Sequence, residues 1–264
     1  MAAPAPATSI RGRFLWYELL TTDTAAAKAF YTQAIGWGSQ LFPVPGPTEY
    51  NLWMNGEAPV GGMMALPDEA KAGGAPSHWV AYVGTPDLDG TVDRAKTLGA
   101  KIFVPPTDIP TVGRFSVLAD PQGAIFAVYK PIDEPSAEGD PAVGDVSWHE
   151  LATTDQKAGF AFYQNLFGWD NQQEMDMGPI GTYLMYGRQG RMYGGVYNKP
   201  ADMPAPSHWL LYFLVPDVNE AVPRLTNLGA KLLNGPMEVP GGDLIAQFLD
   251  PQGAAFAIHS KKAS

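Results

Sequence analysis

The 264-residue chain has no cysteine. Disulfides, thiolate nucleophiles, Cys-ligated zinc and iron–sulfur clusters are therefore excluded. Histidine is scarce, with four in all: His78, His149, His208 and His259. No run of about 18 apolar residues occurs, so no transmembrane helix is expected. The opening MAAPAPATSIRGRF lacks the apolar core of a signal peptide. Positive charge is also short, with 17 Lys and Arg against 27 Asp and Glu, a formal charge of -10. Such a surface repels phosphate backbones, so nucleic acid is not an expected partner. There is no P-loop, dinucleotide fingerprint, G-x-S-x-G or H-E-x-x-H motif. A cytoplasmic protein with a small-molecule ligand, and with neither a membrane nor a nucleic-acid partner, is the expectation.

What is present is a 45% hydrophobic composition, normal for a chain with a real core, and an internal repeat. WYELLTTD from Trp16 returns as WHELATTD from Trp148. Phe30 and Tyr31 return as Phe162 and Tyr163, and Gly36 and Trp37 as Gly168 and Trp169. APSHW from Ala75 returns from Ala205, LGAK from Leu98 returns from Leu228, and DPQGA from Asp120 returns from Asp250. The order is identical and the offset is about 130 residues throughout. The expected organisation is a flexible tail over 1–12, one lobe over 13–131, a linker over 132–145 and a second lobe over 146–260. The linker is rich in proline, glycine and acidic residues.

A fainter echo lies inside each half. Strand-like runs at 14–20, 78–83, 146–151 and 208–215 each lead to an aspartate: Asp23, Asp87, Asp155 and Asp217. Aspartate is a good helix N-cap because its carboxylate accepts orphan N–H groups of the first turn. Gly36, Gly99, Gly168 and Gly229 follow at the spacing of a left-handed helix end. Three further short strand-like runs come next, such as 50–54, 60–65, 115–118 and 125–129. The pattern is α+β, βαβββ four times over in two lobes, giving curled mixed sheets with concave clefts. Asp120 and Asp250 with their Pro-Gln-Gly are read as turns.

The βαβββ pairs, the Phe-Tyr of the first helix, the Gly-Trp after it and the closing Asp-Pro-Gln-Gly resemble the glyoxalase/bleomycin-resistance/dioxygenase (vicinal oxygen chelate) superfamily. The resemblance covers about 13–260. It implies a divalent metal held by a His or Gln on the first strand and a Glu on the fourth strand of each module. That metal would serve as a Lewis acid toward neighbouring substrate oxygens. Carried over by position, the first-strand sites are Trp16, Val80, Trp148 and Leu210. The last-strand sites are Ala127 and Ala257, with the remaining pair near Gly62 or Met63 and Gly195 or Val196. None of these is a ligand, so no metal ligand is assigned and no cofactor is expected. A metal-dependent glyoxalase or dioxygenase with ligands elsewhere stays as an alternative.

Residues two apart on a strand share a face. Trp16 with Glu18, His78 with Val80 and Tyr82, Trp148 with Glu150, and His208 with Tyr212 therefore group, and His149 points the other way. Glu18 and Glu150 are the candidate general bases or acids, with His78 and His208 assisting. Their bland reading is hydrogen bonding to neighbouring backbone. Trp16, Trp53, Met63, Trp79, Tyr82 and Phe115 are candidate walls of one cleft, and Trp148, Tyr183, Trp209 and Tyr212 of the other. Arg114 is a candidate anion contact or a surface ion pair. The functions open at this point are an enzyme, of the lyase kind, acting on a carbonyl-bearing or aromatic molecule, and a non-catalytic protein that sequesters its ligand. Monomer and homodimer are both open.

Overall fold

A computed structural model describes residues 10–44, 49–133, 135–178 and 181–262. The first half runs β1 (Phe14–Thr21), α1 (Thr24–Ala34), β2 (Gly38–Phe42), β3 (Tyr50–Asn55), β4 (Ala58–Ala65), α2 (Asp68–Ala72), β5 (His78–Gly84), α3 (Leu88–Thr97), β6 (Lys101–Ile109), β7 (Gly113–Ala119) and β8 (Ile125–Pro131). The second runs β9 (Val146–Thr153), α4 (Gln156–Phe167), β10 (Asp170–Asp176), β11 (Thr182–Arg188), β12 (Arg191–Asn198), β13 (His208–Leu214), α5 (Val218–Asn227), β14 (Lys231–Glu238), β15 (Leu244–Leu249) and β16 (Ala255–Ser260). This is βαβββ four times, with the one-turn α2 as an addition that the sequence pattern does not announce.

Each half makes one eight-stranded mixed sheet, ordered β2-β3-β4-β1-β5-β8-β7-β6 and β10-β11-β12-β9-β13-β16-β15-β14. β1 runs parallel to β4, β5 to β8 and β13 to β16, while the hairpins are antiparallel. Among the described residues no helix is long and apolar enough to cross a membrane.

The four aspartates cap their helices. Asp23 accepts from the Ala26 N–H at 2.9 Å, Asp87 from Gly90 at 3.1 Å, Asp155 from Ala158 at 3.0 Å and Asp217 from Asn219 at 2.7 Å. Each cap contributes about 1 kcal/mol. Gly36, Gly99, Gly168 and Gly229 take positive φ at the far ends, a conformation that a Cβ disfavours.

By spatial proximity the chain groups into two compact units that cut across the halves. Among the described residues, one holds Ala81–Gly139 and Leu151–Trp209 with residues 10–15; the other holds Trp16–Val80, Asp140–Glu150 and residues 210–262. In each unit a helical tyrosine reaches the Asp-Pro-Gln-Gly turn of a module from the other half. Tyr163 donates to Asp120 at 3.0 Å and accepts from the Trp209 indole at 3.0 Å. Tyr31 donates to Asp250 and accepts from Trp79 at the same distances. Each aspartate also receives two turn N–H groups at 2.9 Å.

Residues 1–9 of the expected tail lie outside the described residues. Residues 10–12 do not behave as a loose tail. Gly12 N–H bonds the Gly84 carbonyl at 2.9 Å, and the Trp169 indole donates to Gly12 at 2.8 Å.

Candidate functional site

Strand alternation splits each sheet into a face that packs on the helices and a helix-free face. Trp53 and Trp79 meet the α1 ring of Tyr31 at centroid distances of 5.6 and 5.3 Å. Met63 pairs with Leu19, and both are fully buried. Trp209 meets Tyr163 of α4 at 5.1 Å. These four belong to the helix-side cores and leave the set of cleft walls. They sit one residue out of phase with Trp16, Tyr82 and Tyr212, so they point through the other side of their strands.

On the helix-free face of the first half, Tyr82 meets Phe115 at 6.1 Å and Tyr129 at 6.3 Å. Strand register puts Ala127 beside Tyr82 and Val117 beside Ala127. The Trp16 indole donates to the Tyr50 hydroxyl at 3.0 Å, and Glu18 lies buried in register with Gly62. Arg114 is engaged by two carboxylates, Asp108 at 2.7 Å and Asp89 at 3.1 Å.

In the second half, Trp148, Leu210, Tyr212, Ile245 and Ala257 form one apolar cluster. A polar chain runs through it. Gln247 Nε2 donates to the Tyr212 hydroxyl at 2.8 Å, and that hydroxyl donates to Glu150 Oε1 at 2.9 Å. Gln247 Nε2 also lies 3.4 Å from Glu150 Oε1. Glu150 is 7% exposed and Tyr212 2%. The strands β13, β16 and β15 lie side by side, and Tyr212 and Gln247 both pair with Ala257. The sequence reading missed Gln247. Its only signal was a polar residue where the repeat has Val117.

Tyr183 lies over Gly195, where a Cβ would come within 2.1 Å of its ring, and stacks on Tyr197 at 6.2 Å. His78 and His208 open β5 and β13, and each sits four residues, about 13 Å along the strand, before Tyr82 or Tyr212. Each Nδ1–H donates to the carbonyl two residues back, Pro76 or Pro206, at 2.8 Å. Burial pushes both histidines below the ordinary value. The rings are therefore neutral at pH 7, with the Nε2 lone pair as the basic atom.

His259, on the same face, touches Ser147 Oγ at 2.9 Å through Nδ1 and Asp243 at 3.0 Å through Nε2. Ser147 donates its own proton to the Tyr212 carbonyl at 3.2 Å. Asp243, His259 and Ser147 thus link the residue before β15 to β16 and β9.

Residues 13–128 and 145–258 match the model of the Glyoxalase/Bleomycin resistance protein/Dioxygenase superfamily. The chain belongs to this superfamily. CFP32 of Mycobacterium tuberculosis, which carries a provisional glyoxylase name, is 32% identical over 92% of either chain. The anthracycline biosynthesis protein DnrV of Streptomyces peucetius is 30% identical over 92% of this chain and 91% of its own. The Mn(II)-bound glyoxalase of Novosphingobium aromaticivorans shares the fold, with a TM-score of 0.60 at 15% identity, covering 97% of this chain and 83% of the other. The protein is thus a small-molecule-acting member of the glyoxalase superfamily.

The superfamily implies a divalent metal, but the donor set at the matching positions does not fit one. Ala127 and Ala257 carry no donor atom and are fully buried. A Cβ at Gly62 would fall 2.0 Å from the Tyr50 hydroxyl, so an aromatic ring fills the space of the missing carboxylate. Tyr183 does the same over Gly195. Among the described residues no group of three or more His, Asp or Glu converges.

Proposed function

We propose that this protein binds a small aromatic or carbonyl-bearing molecule on the helix-free face of its second half and moves a proton with Glu150. The observation that carries the reading is the chain from Gln247 through Tyr212 to Glu150. A carboxylate so placed can take a proton from carbon beside a carbonyl. A phenol and an amide N–H can then hydrogen-bond the oxygen that gains charge. Trp148 and Ile245, partly exposed, supply apolar wall for a ring. A relative named for anthracycline biosynthesis supports a fused-ring aromatic ligand. Glu18, beside Trp16, would serve the first half in the same role.

A second reading, ligand sequestration without turnover, is favoured by the burial of Glu150 within its own hydrogen bonds. Wild type and Glu150→Gln are titrated with phenylglyoxal and with an anthracycline, following tryptophan fluorescence, and assayed for consumption of each. Turnover that falls about 10²–10⁴-fold in the variant with binding intact supports the proposal. Unchanged turnover removes Glu150 from the chemistry. Binding with no turnover in the wild type supports sequestration.

A further inference from the structure

We propose that a cavity beside the β11–β12 turn is a binding site for a small oxyanion, a phosphate or a carboxylate. The cavity has a volume of about 220 Å³, and Arg13, Arg188, Arg191, Glu138 and Tyr193 are among its walls. Three guanidiniums and one carboxylate therefore face one space in a chain whose formal charge is -10. Guanidinium forks match phosphate and carboxylate oxygens two at a time.

The arginines are held in place by backbone. Arg13 Nη2 donates to the Ser136 carbonyl at 2.9 Å. Arg188 Nη1 donates to the Arg11 carbonyl and Arg191 Nη2 to the Gly139 carbonyl. Glu138 lies 3.5 Å from both Arg13 Nε and Arg191 Nε, and it accepts the Tyr193 hydroxyl at 3.1 Å. Burial, then the charge of Glu138, pushes the Tyr193 phenol upward, so it stays a donor. Arg13 is 8% exposed, and its buried Nε has no hydrogen-bond partner. Its carboxylate neighbour Glu138 stays at 3.5 Å, so a ligand oxygen could bond this buried N–H more closely.

The repeat-related positions do not carry this cluster. Arg188 and Arg191 pair across their hairpin as Asn55 and Ala58 pair across theirs. Arg13 precedes β1 as Asp145 precedes β9. The three positions that are arginine here correspond to Asp145, Asn55 and Ala58, where Asn55 donates to Asp145 at 2.9 Å.

The test is thermal unfolding of the full chain in rising phosphate or succinate against chloride at matched ionic strength. The variants Arg191→Gln and Arg188→Gln are checked by circular dichroism. A saturable rise in Tm, about 5–10 °C at a hundredfold excess over the dissociation constant, is expected in wild type. The affinity should weaken at least tenfold in a folded variant. A response to phosphate alone identifies a phosphoryl ligand, and one to succinate alone a carboxylate. No saturable response beyond chloride, or wild-type affinity in both variants, overturns the proposal.

Discussion

Tyr17 and His149 occupy the same position of the repeat and touch each other. The phenol oxygen lies 2.7 Å from Nε2, and the rings stack at 5.6 Å with 26° between planes. Equivalent residues of a duplication meet only where the two copies face one another. The copies have since diverged there into a phenol and an imidazole. Tyr17→Phe removes this bond at a buried histidine and should cost about 1 kcal/mol. The drop in Tm would be roughly 2–4 °C, measured by calorimetry. An unchanged Tm would show the contact is energetically idle.

Tyr163→Phe takes one oxygen from two buried partners, the Asp120 carboxylate and the Trp209 indole. Groups left unpaired in a core cost about 1–3 kcal/mol each. The loss should therefore exceed that of Tyr17→Phe, and urea unfolding of the two variants side by side decides it.

Gln247→Val copies into the second half the residue that the first half carries as Val117. If the Gln247–Tyr212–Glu150 chain does chemistry, kcat falls about tenfold or more while KM changes little. If the chain is only structural, Tm falls and kcat per folded molecule does not.

Stability should weaken as acid is added from neutrality. Burial holds His78 and His208 below the ordinary histidine value, opposed by their bonds to Pro76 and Pro206. Their folded pKa lies under the unfolded one, near 6.5, so the unfolded chain takes the proton first. The stability they contribute is complete above about pH 6.5 and is lost as pH falls toward the lowered value. Asp120 and Asp250, raised by burial, act with opposite sign, between the ordinary carboxylate value and the raised one. The urea midpoint should drop between pH 7.5 and 5.5, and the drop should shrink in His78→Gln with His208→Gln. A flat wild-type profile would contradict this.

Protein dialysed against EDTA should keep its Tm and take up no stoichiometric Mn(II), Zn(II) or Fe(II), read by elemental analysis. Gly62, Gly195, Ala127 and Ala257 offer nothing to a cation. One tightly held ion per chain would mean that other residues bind it.

The sequence by itself determined the duplication, the four βαβββ modules and the helix ends. These rest on signals within a few residues of each other: alternation, Asp caps and glycines that tolerate positive φ. It also determined which residues share a face along one strand, as with Trp148 and Glu150. Only the tertiary structure decided which strands lie side by side. That choice turned Trp53, Met63, Trp79 and Trp209 into core, brought Gln247 and Tyr212 to Glu150, and joined Tyr163 to Asp120. Local periodicity carries no information about register between strands distant in sequence, because that register is set by how whole sheets and helices bury their apolar faces together.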